Sequence, residues 1–221
     1  MKPRLILFSG MGGDSRLTRP IEIPELEIVT PEHLEPRANE TLPAYAARVA
    51  DLTGAKPSDI LGGTSFGGML AAEIARQRGA AGVVLLGSCL NTSGLPRSYR
   101  IFEKLGKFIP DGILRLRSWR PFVRWRYAPV TPEAEQILVA MAEDCPAGQI
   151  RGFGRMVVTW NGVERLDCPV LSIHGDRDRV IPLDCAEPGL VLKEAGHAFT
   201  LTHQAQTIAA IREFLKTKIP A

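Results

Sequence analysis

The sequence predicts an α/β protein: a doubly wound, mostly parallel sheet of six strands, with helices on both faces and a helical insertion before the fifth strand. Three observations carry this. Short apolar, β-branched runs alternate with helical stretches, the rhythm of parallel strands joined by crossover helices. One run, Val83-Val84-Leu85-Leu86, is apolar at every position, as a strand covered on both faces is. Between Cys89 and Asp167 the rhythm stops, and apolar residues there recur at helical spacing. With 221 residues the chain fits one domain, 1–221, carrying an insertion at about 89–167.

The first strand is Leu5–Phe8, four apolar residues behind Lys2 and Arg4. A secretory signal needs an apolar stretch of about 7–15 residues, so the chain is expected to be cytoplasmic. Leu26–Val29 is the second strand, and the helix Leu42–Leu52 follows it. Ile60–Thr64 is the third strand, and it runs through a glycine-rich turn into the helix Phe66–Gln77. Val83–Gly87 is the fourth. In the insertion, Ile101, Phe102, Leu105, Phe108 and Ile109 have helical spacing, and Pro121 interrupts a second stretch, Ile113–Tyr127. Two more helices are expected at Pro132–Glu143 and Gln149–Trp160. Val170–His174 and Leu190–Leu192 complete the sheet, and the helix Thr202–Leu215 closes the fold.

Composition excludes several classes. Hydrophobic residues make up 45% and charged residues 23%, which rules against wholesale disorder. No apolar run approaches the roughly 20 residues of a membrane span, and no membrane contact is expected. A net charge of +3 is too small to imply a nucleic-acid partner. Cys89, Cys145, Cys168 and Cys185 form no C-x-x-C and have no histidine at zinc spacing, so reduced thiols and no metal are expected.

Chemistry concentrates at Gly63-Thr64-Ser65-Phe66-Gly67-Gly68, a G-x-S-x-G pattern between a predicted strand and a predicted helix. Such a turn strains the serine backbone and lifts its hydroxyl to the strand tip. Gly63 and Gly67 leave room for strand and helix to pass closely. The Phe66 N–H, at the helix start, is placed to receive an oxyanion. The plain alternative is a glycine-rich turn with a capping serine.

A nucleophilic serine needs a base. Four histidines are available. His33, in a Pro/Glu-rich loop, and His203 are expected at the surface, and His174 is expected to be structural. His197 follows the last strand, in the order Ser, acid, His that this turn predicts. Asp176 and Asp178 both lie where an orienting carboxylate belongs, and residue chemistry does not choose between them. Ser9-Gly10-Met11-Gly12-Gly13-Asp14 can turn backbone N–H groups inward as the second oxyanion donor. It is not a dinucleotide fingerprint, because Ser15 stands where the third glycine belongs, and it is not a P-loop, because no Gly-Lys-Ser/Thr follows.

Together the G-x-S-x-G turn, His174-Gly175-Asp176-Arg177-Asp178-Arg179-Val180-Ile181-Pro182 and Gly196-His197 make the chain resemble the α/β-hydrolase fold superfamily over nearly its whole length. The resemblance implies a Ser65–His197–Asp178 triad, the acid being the last residue of a G-x-x-D before a Val-Pro-like pair. It implies that the Met11 N–H is the second oxyanion donor, with Ser9 in place of the family's usual histidine. It also implies strand order 2-1-3-4-5-6, the family's initial antiparallel hairpin being missing, and a lid at the insertion. Within the superfamily the chain is most similar to small serine esterases and thioesterases, such as those that demethylate pimeloyl-carrier-protein esters. On this resemblance the substrate is an acyl ester or thioester, no metal or organic cofactor is needed, and Met69, with the lid's Trp119 and Phe122, lines the acyl pocket.

The lid is strongly basic. Nine cations (Arg97, Arg100, Lys104, Lys107, Arg115, Arg117, Arg120, Arg124 and Arg126) face only Glu103 and Asp111 between positions 97 and 126, so the rest of the chain is net acidic. Three readings of this compete. They are a solvated basic face over the pocket, recognition of an anionic handle such as coenzyme A or a carrier-protein phosphopantetheine, and an interfacial helix. A non-catalytic binding protein that uses the lid, or an amide or C–C bond hydrolase with the same triad, are the alternatives to an esterase.

Overall fold

The computed structural model describes residues 2–92, 95 and 110–219. Its strands are β1 (Arg4–Phe8), β2 (Glu27–Val29), β3 (Ile60–Thr64), β4 (Gly82–Leu86), β5 (Val170–Gly175) and β6 (Leu190–Leu192). All are parallel, in the order β2-β1-β3-β4-β5-β6, which is the order expected from the sequence. Register sets Phe8 beside Gly63, Gly63 beside Leu85, and Leu86 beside Ile173. The loops that leave β1, β3, β4 and β5 therefore open on one edge of the sheet, where ligands of open α/β sheets bind.

Successive strand residues point to opposite faces, and both faces are covered. Ile6, Leu61, Val83 and Leu85 pack with α2 (Leu42–Thr53) and α3 (Phe66–Arg78). Leu5, Leu7, Ile60, Val84 and Leu86 pack with Ile211 and Phe214 of the terminal helix α9 (Gln204–Lys218). The unbroken apolar runs of the sequence are this two-sided burial. α1 (Ser15–Thr18) is a single turn after β1, and Asp14 caps it by accepting from the Arg16 N–H. The Thr41 hydroxyl caps α2, which ends at Gly54 in the left-handed region.

Between β4 and β5 lie α4 (Asp111–Leu114), a 3₁₀ turn (Arg115–Ser118), α5 (Arg120–Tyr127), α6 (Pro132–Asp144) and α7 (Ala147–Thr159). Pro121 begins α5 rather than interrupting it, because the first helical turn has no use for the missing N–H. The helix expected through Ile101–Ile109 lies outside the described residues, as do Arg97, Arg100, Glu103, Lys104 and Lys107. α7 is not peripheral to the core. Its Phe153, Met156 and Val157 join α2 and α3 in the first core. Val123 of α5 and Leu138 and Met141 of α6 instead cluster with Ala198 and Leu201. The closing helix is split into α8 (Phe199–Thr202) and α9, with His203 between them. Among the described residues no helix is long and apolar enough to cross a membrane.

Candidate active site

β3 ends at Thr64, and the chain turns at once into α3. Ser65 makes the turn with φ 52°, a left-handed value that a serine adopts only under strain. The neighbouring glycines make the turn possible. A Cβ on Gly63 would stand 2.3 Å from Gly67 carbon, and one on Gly67 would stand 2.3 Å from the Phe8 carbonyl oxygen. Ser65 N–H donates to the Leu86 carbonyl (3.0 Å), and the buried Ser88 hydroxyl donates to the Ser65 carbonyl (2.6 Å). Nothing ties the serine side chain into a cap.

His197 lies beside Gly87, the residue after the Leu86 whose carbonyl accepts the Ser65 N–H. The His197 Nδ1–H donates to Asp178 Oδ2 at 2.6 Å, and a Cβ on Gly87 would stand 3.4 Å from Nδ1 and 3.5 Å from that oxygen. Gly87, at φ 56°, is therefore glycine for two reasons, conformation and room. A carboxylate only accepts, so Nδ1 carries a proton, and in the neutral ring the lone pair is on Nε2. The Asp178 side chain is fully buried, and its other oxygen accepts the N–H groups of Val180 (2.7 Å) and Ile181 (2.9 Å). Burial by itself would push its pKa up. The facing His197 charge, with hydrogen bonds from His174 and His197, outweighs burial and holds the carboxyl well below the usual range. Asp176 is elsewhere, accepting the Ala195 N–H at 3.2 Å. Of the two candidate acids, only Asp178 touches His197.

His174, expected to be structural, donates from Nε2 to the Ile181 carbonyl (2.8 Å), with Asp178 Oδ2 at 3.3 Å from the same nitrogen. It steadies the turn that carries the acid. The loop Ser9–Asp14 closes on itself through the Ser9 hydroxyl to the Asp14 carbonyl (2.7 Å) and Gly13 N–H to the Gly10 carbonyl (3.0 Å). A Cβ on Gly10 would lie 3.2 Å from Ser65 Cβ, so the peptide bearing the Met11 N–H lies against the serine. Phe66 is buried directly after Ser65, with its ring 4.6 Å from that of Phe153.

His33 is not at the surface, as its loop composition led us to expect. Its ring packs 4.8 Å from Phe153 and 5.9 Å from Phe66, with Nε2 3.2 Å from the Gly10 carbonyl. The reason is that the loop after β2 crosses the end of β1 beside α7, a contact between segments far apart in sequence. Trp119 (61% exposed) and Phe122 (37%) are exposed side chains of the insertion. Met69 is buried in the first core. Tyr127 does approach the site: its ring is 6.2 Å from His197, and its backbone and that of Ala128 press on Gly196. Ser88, Gly87 and Tyr127 were invisible to motif reading, since no spacing relates them to Ser65. Among the described residues no group of three or more His, Cys, Asp or Glu side chains is placed to hold a metal ion.

A family model described as the alpha/beta hydrolase family matches residues 7–211. The chain belongs to the alpha/beta hydrolase family. No curated protein sequence matches this hydrolase-family chain. Its fold is shared with solved structures at low identity. An esterase from Thermogutta terrifontis is 19% identical, with TM-score 0.78 over 99% of this chain and 91% of that one. An esterase from Exiguobacterium antarcticum is 15% identical, with TM-score 0.77 over 97% and 92%. A bromoperoxidase from Bacillus anthracis is 15% identical, with TM-score 0.74 over 98% and 92%.

Proposed function

We propose that this family member is a serine hydrolase that cleaves a carboxylic ester or thioester through an acyl-enzyme. The observation that carries the reading is the strained Ser65 at the tip of β3, grouped through Gly87 and Ser88 with the His197–Asp178 pair. In this reading His197 Nε2 takes the Ser65 proton as Oγ attacks the acyl carbon. The buried Asp178 carboxylate holds the ring and stabilises the imidazolium. The N–H groups of Met11 and Phe66 receive the oxyanion, a role in which one donor supplies about 3–4 kcal/mol of transition-state stabilisation. His197 then returns the proton to the leaving alcohol or thiol, and finally activates water to release the acid.

The helical insertion serves as the lid in this proposal, and its charge favours an acyl group with an anionic handle. Glu135 already neutralises part of that charge, pairing with Arg124 at 2.9 Å and Arg120 at 3.9 Å. Arg117 differs: it donates to the main-chain carbonyls of Leu114 (2.8 Å) and Cys145, and among the described residues no carboxylate pairs with it. Acyl-coenzyme A and acyl-carrier-protein thioesters have the matching charge.

The test is intact mass after treatment with a fluorophosphonate probe, alongside turnover of a p-nitrophenyl ester. Wild type is expected to gain one adduct, and the folded Ser65→Ala variant none, with turnover reduced to background. Undiminished turnover by Ser65→Ala would refute the assignment.

A further inference from the structure

His33 has no part in the proposed proton transfers, yet it touches the site's most sensitive loop. Its Nε2 is 3.2 Å from the Gly10 carbonyl oxygen. That carbonyl and the Met11 N–H are the two ends of one planar trans peptide, so a force on one end aims the other in the opposite direction. The Gly10 carbonyl already accepts the Gly13 N–H at 3.0 Å, which is enough to satisfy a buried acceptor. A second donor is therefore not needed for solvation. Its effect is on orientation, and it also polarises the peptide so that its N–H becomes a better donor.

The imidazole is itself held in place. Its ring lies 4.8 Å from Phe153 and 5.9 Å from Phe66. The Tyr45 hydroxyl donates to the carbonyl of the next residue, Leu34, at 3.1 Å, which fixes the His33 loop against α2. Burial pushes the His33 pKa down, against the opposing pull of the Gly10 and Ser9 carbonyls, so the ring is neutral near pH 7. A neutral imidazole has one N–H, and facing a carbonyl oxygen it must be the one on Nε2. The same ring that grips the Gly10–Met11 peptide leans on Phe66, whose N–H is the other proposed donor. One side chain thus touches both halves of the oxyanion site.

We propose that His33 is a positioning residue: its Nε2–H, donated to the Gly10 carbonyl, fixes the Gly10–Met11 peptide so that the Met11 N–H points at the oxygen of the bound acyl group. This rests on the serine hydrolase reading above. It acts on the transition state, where charge collects on that oxygen, and leaves ground-state binding nearly unchanged.

The experiment compares His33→Phe with His33→Gln on a neutral short-chain p-nitrophenyl ester, with thermal melting of each variant. Phenylalanine preserves an aromatic ring against Phe66 and Phe153 but has no donor. Glutamine loses the ring but places an N–H at a similar reach to Nε2. We expect His33→Phe to lower kcat by about 10- to 100-fold with KM within about twofold, as a misaligned catalytic donor does. We expect His33→Gln to recover most of that loss, even with the lower melting temperature. A merely structural role gives the reverse order, Phe active and Gln impaired, and that order overturns the proposal. So does equal impairment of the two, or wild-type kcat in His33→Phe. His33→Met, flexible and donor-free, replaces His33→Phe if that chain does not fold. Ser65→Ala runs in parallel. Turnover that survives Ser65→Ala overturns the hydrolase reading itself, whereas turnover that needs Ser65 but not the His33 donor overturns this inference alone.

Discussion

At the residue scale, glycine has two separate uses in this chain, and they differ in what a methyl group would do. Gly67 faces backbone: its Cβ would stand 2.3 Å from the Phe8 oxygen and 2.4 Å from the Ser9 oxygen. Neither atom can give way without moving β1 and the loop that bears the Met11 N–H. Gly54, at the end of α2, has φ 59° and open space around it. Gly67→Ala is therefore expected to destabilise the fold by about 3 kcal/mol or more. Gly54→Ala should lose only the left-handed strain of roughly 1 kcal/mol. Urea denaturation of both variants checks the contrast, and equal losses would contradict it. Ser65 also has a positive φ but with ψ −121°, outside the left-handed well of Gly54, and it is held there because its carbonyl and N–H are tied to Ser88 and Leu86.

At the element scale, α3 and α7 are joined by a buried carboxylate. Glu73 accepts from Arg76, from Gln77 (2.9 Å) and from the indole Nε1–H of Trp160 (3.0 Å). Burial raises its pKa, but the three donors outweigh burial and the net shift is downward from 4.5. A group whose pKa is depressed on folding contributes stability above its unfolded value and loses it as pH falls. Wild type is thus expected to lose stability from about pH 4.5 downward in part through Glu73. Glu73→Gln, which has no proton to gain, should show a flatter stability curve below pH 5 and a lower plateau at pH 7. Denaturant midpoints measured every half unit of pH would reveal a parallel curve if Glu73 has no such role. The same pairing explains why α7, read from sequence as part of the insertion, is built into the core beside α2. Its apolar positions match that core, and Trp160 at its end meets an acceptor on α3.

At the scale of the whole molecule, charge is divided between the basic stretch 97–126 of the insertion and an acidic remainder. Exposed charges are screened within about 8–10 Å at ordinary salt. If the insertion draws in an anionic acyl substrate, KM for a coenzyme A thioester should rise several-fold between 50 and 500 mM salt. KM for a neutral ester of the same acyl group should stay constant. Parallel salt series on the two substrates test this, and matched behaviour would assign the basic residues to solvation alone. Arg117→Gln should reduce the salt effect more than Arg124→Gln, because Glu135 already neutralises Arg124.

What the sequence determined by itself was whatever is written in local pattern. Apolar runs placed all six strands within about a residue, and a glycine-flanked serine between strand and helix located the turn that bears Ser65. His197 was legible from chain order, and Asp178 over Asp176 only through likeness to a family. Residue chemistry did not choose which acid meets His197, since residues two apart on a turn look the same until the turn is folded; in the structure it is Asp178. Tertiary structure also decided that His33 packs against Phe153 and the Gly10 carbonyl. The physical reason is range. Periodicity and close glycine packing act between neighbours in the chain, so they leave a mark in sequence. The contacts of His33 with Gly10 and Phe153 join segments tens of residues apart, and only the closed sheet, with loops gathered at one edge, brings them together.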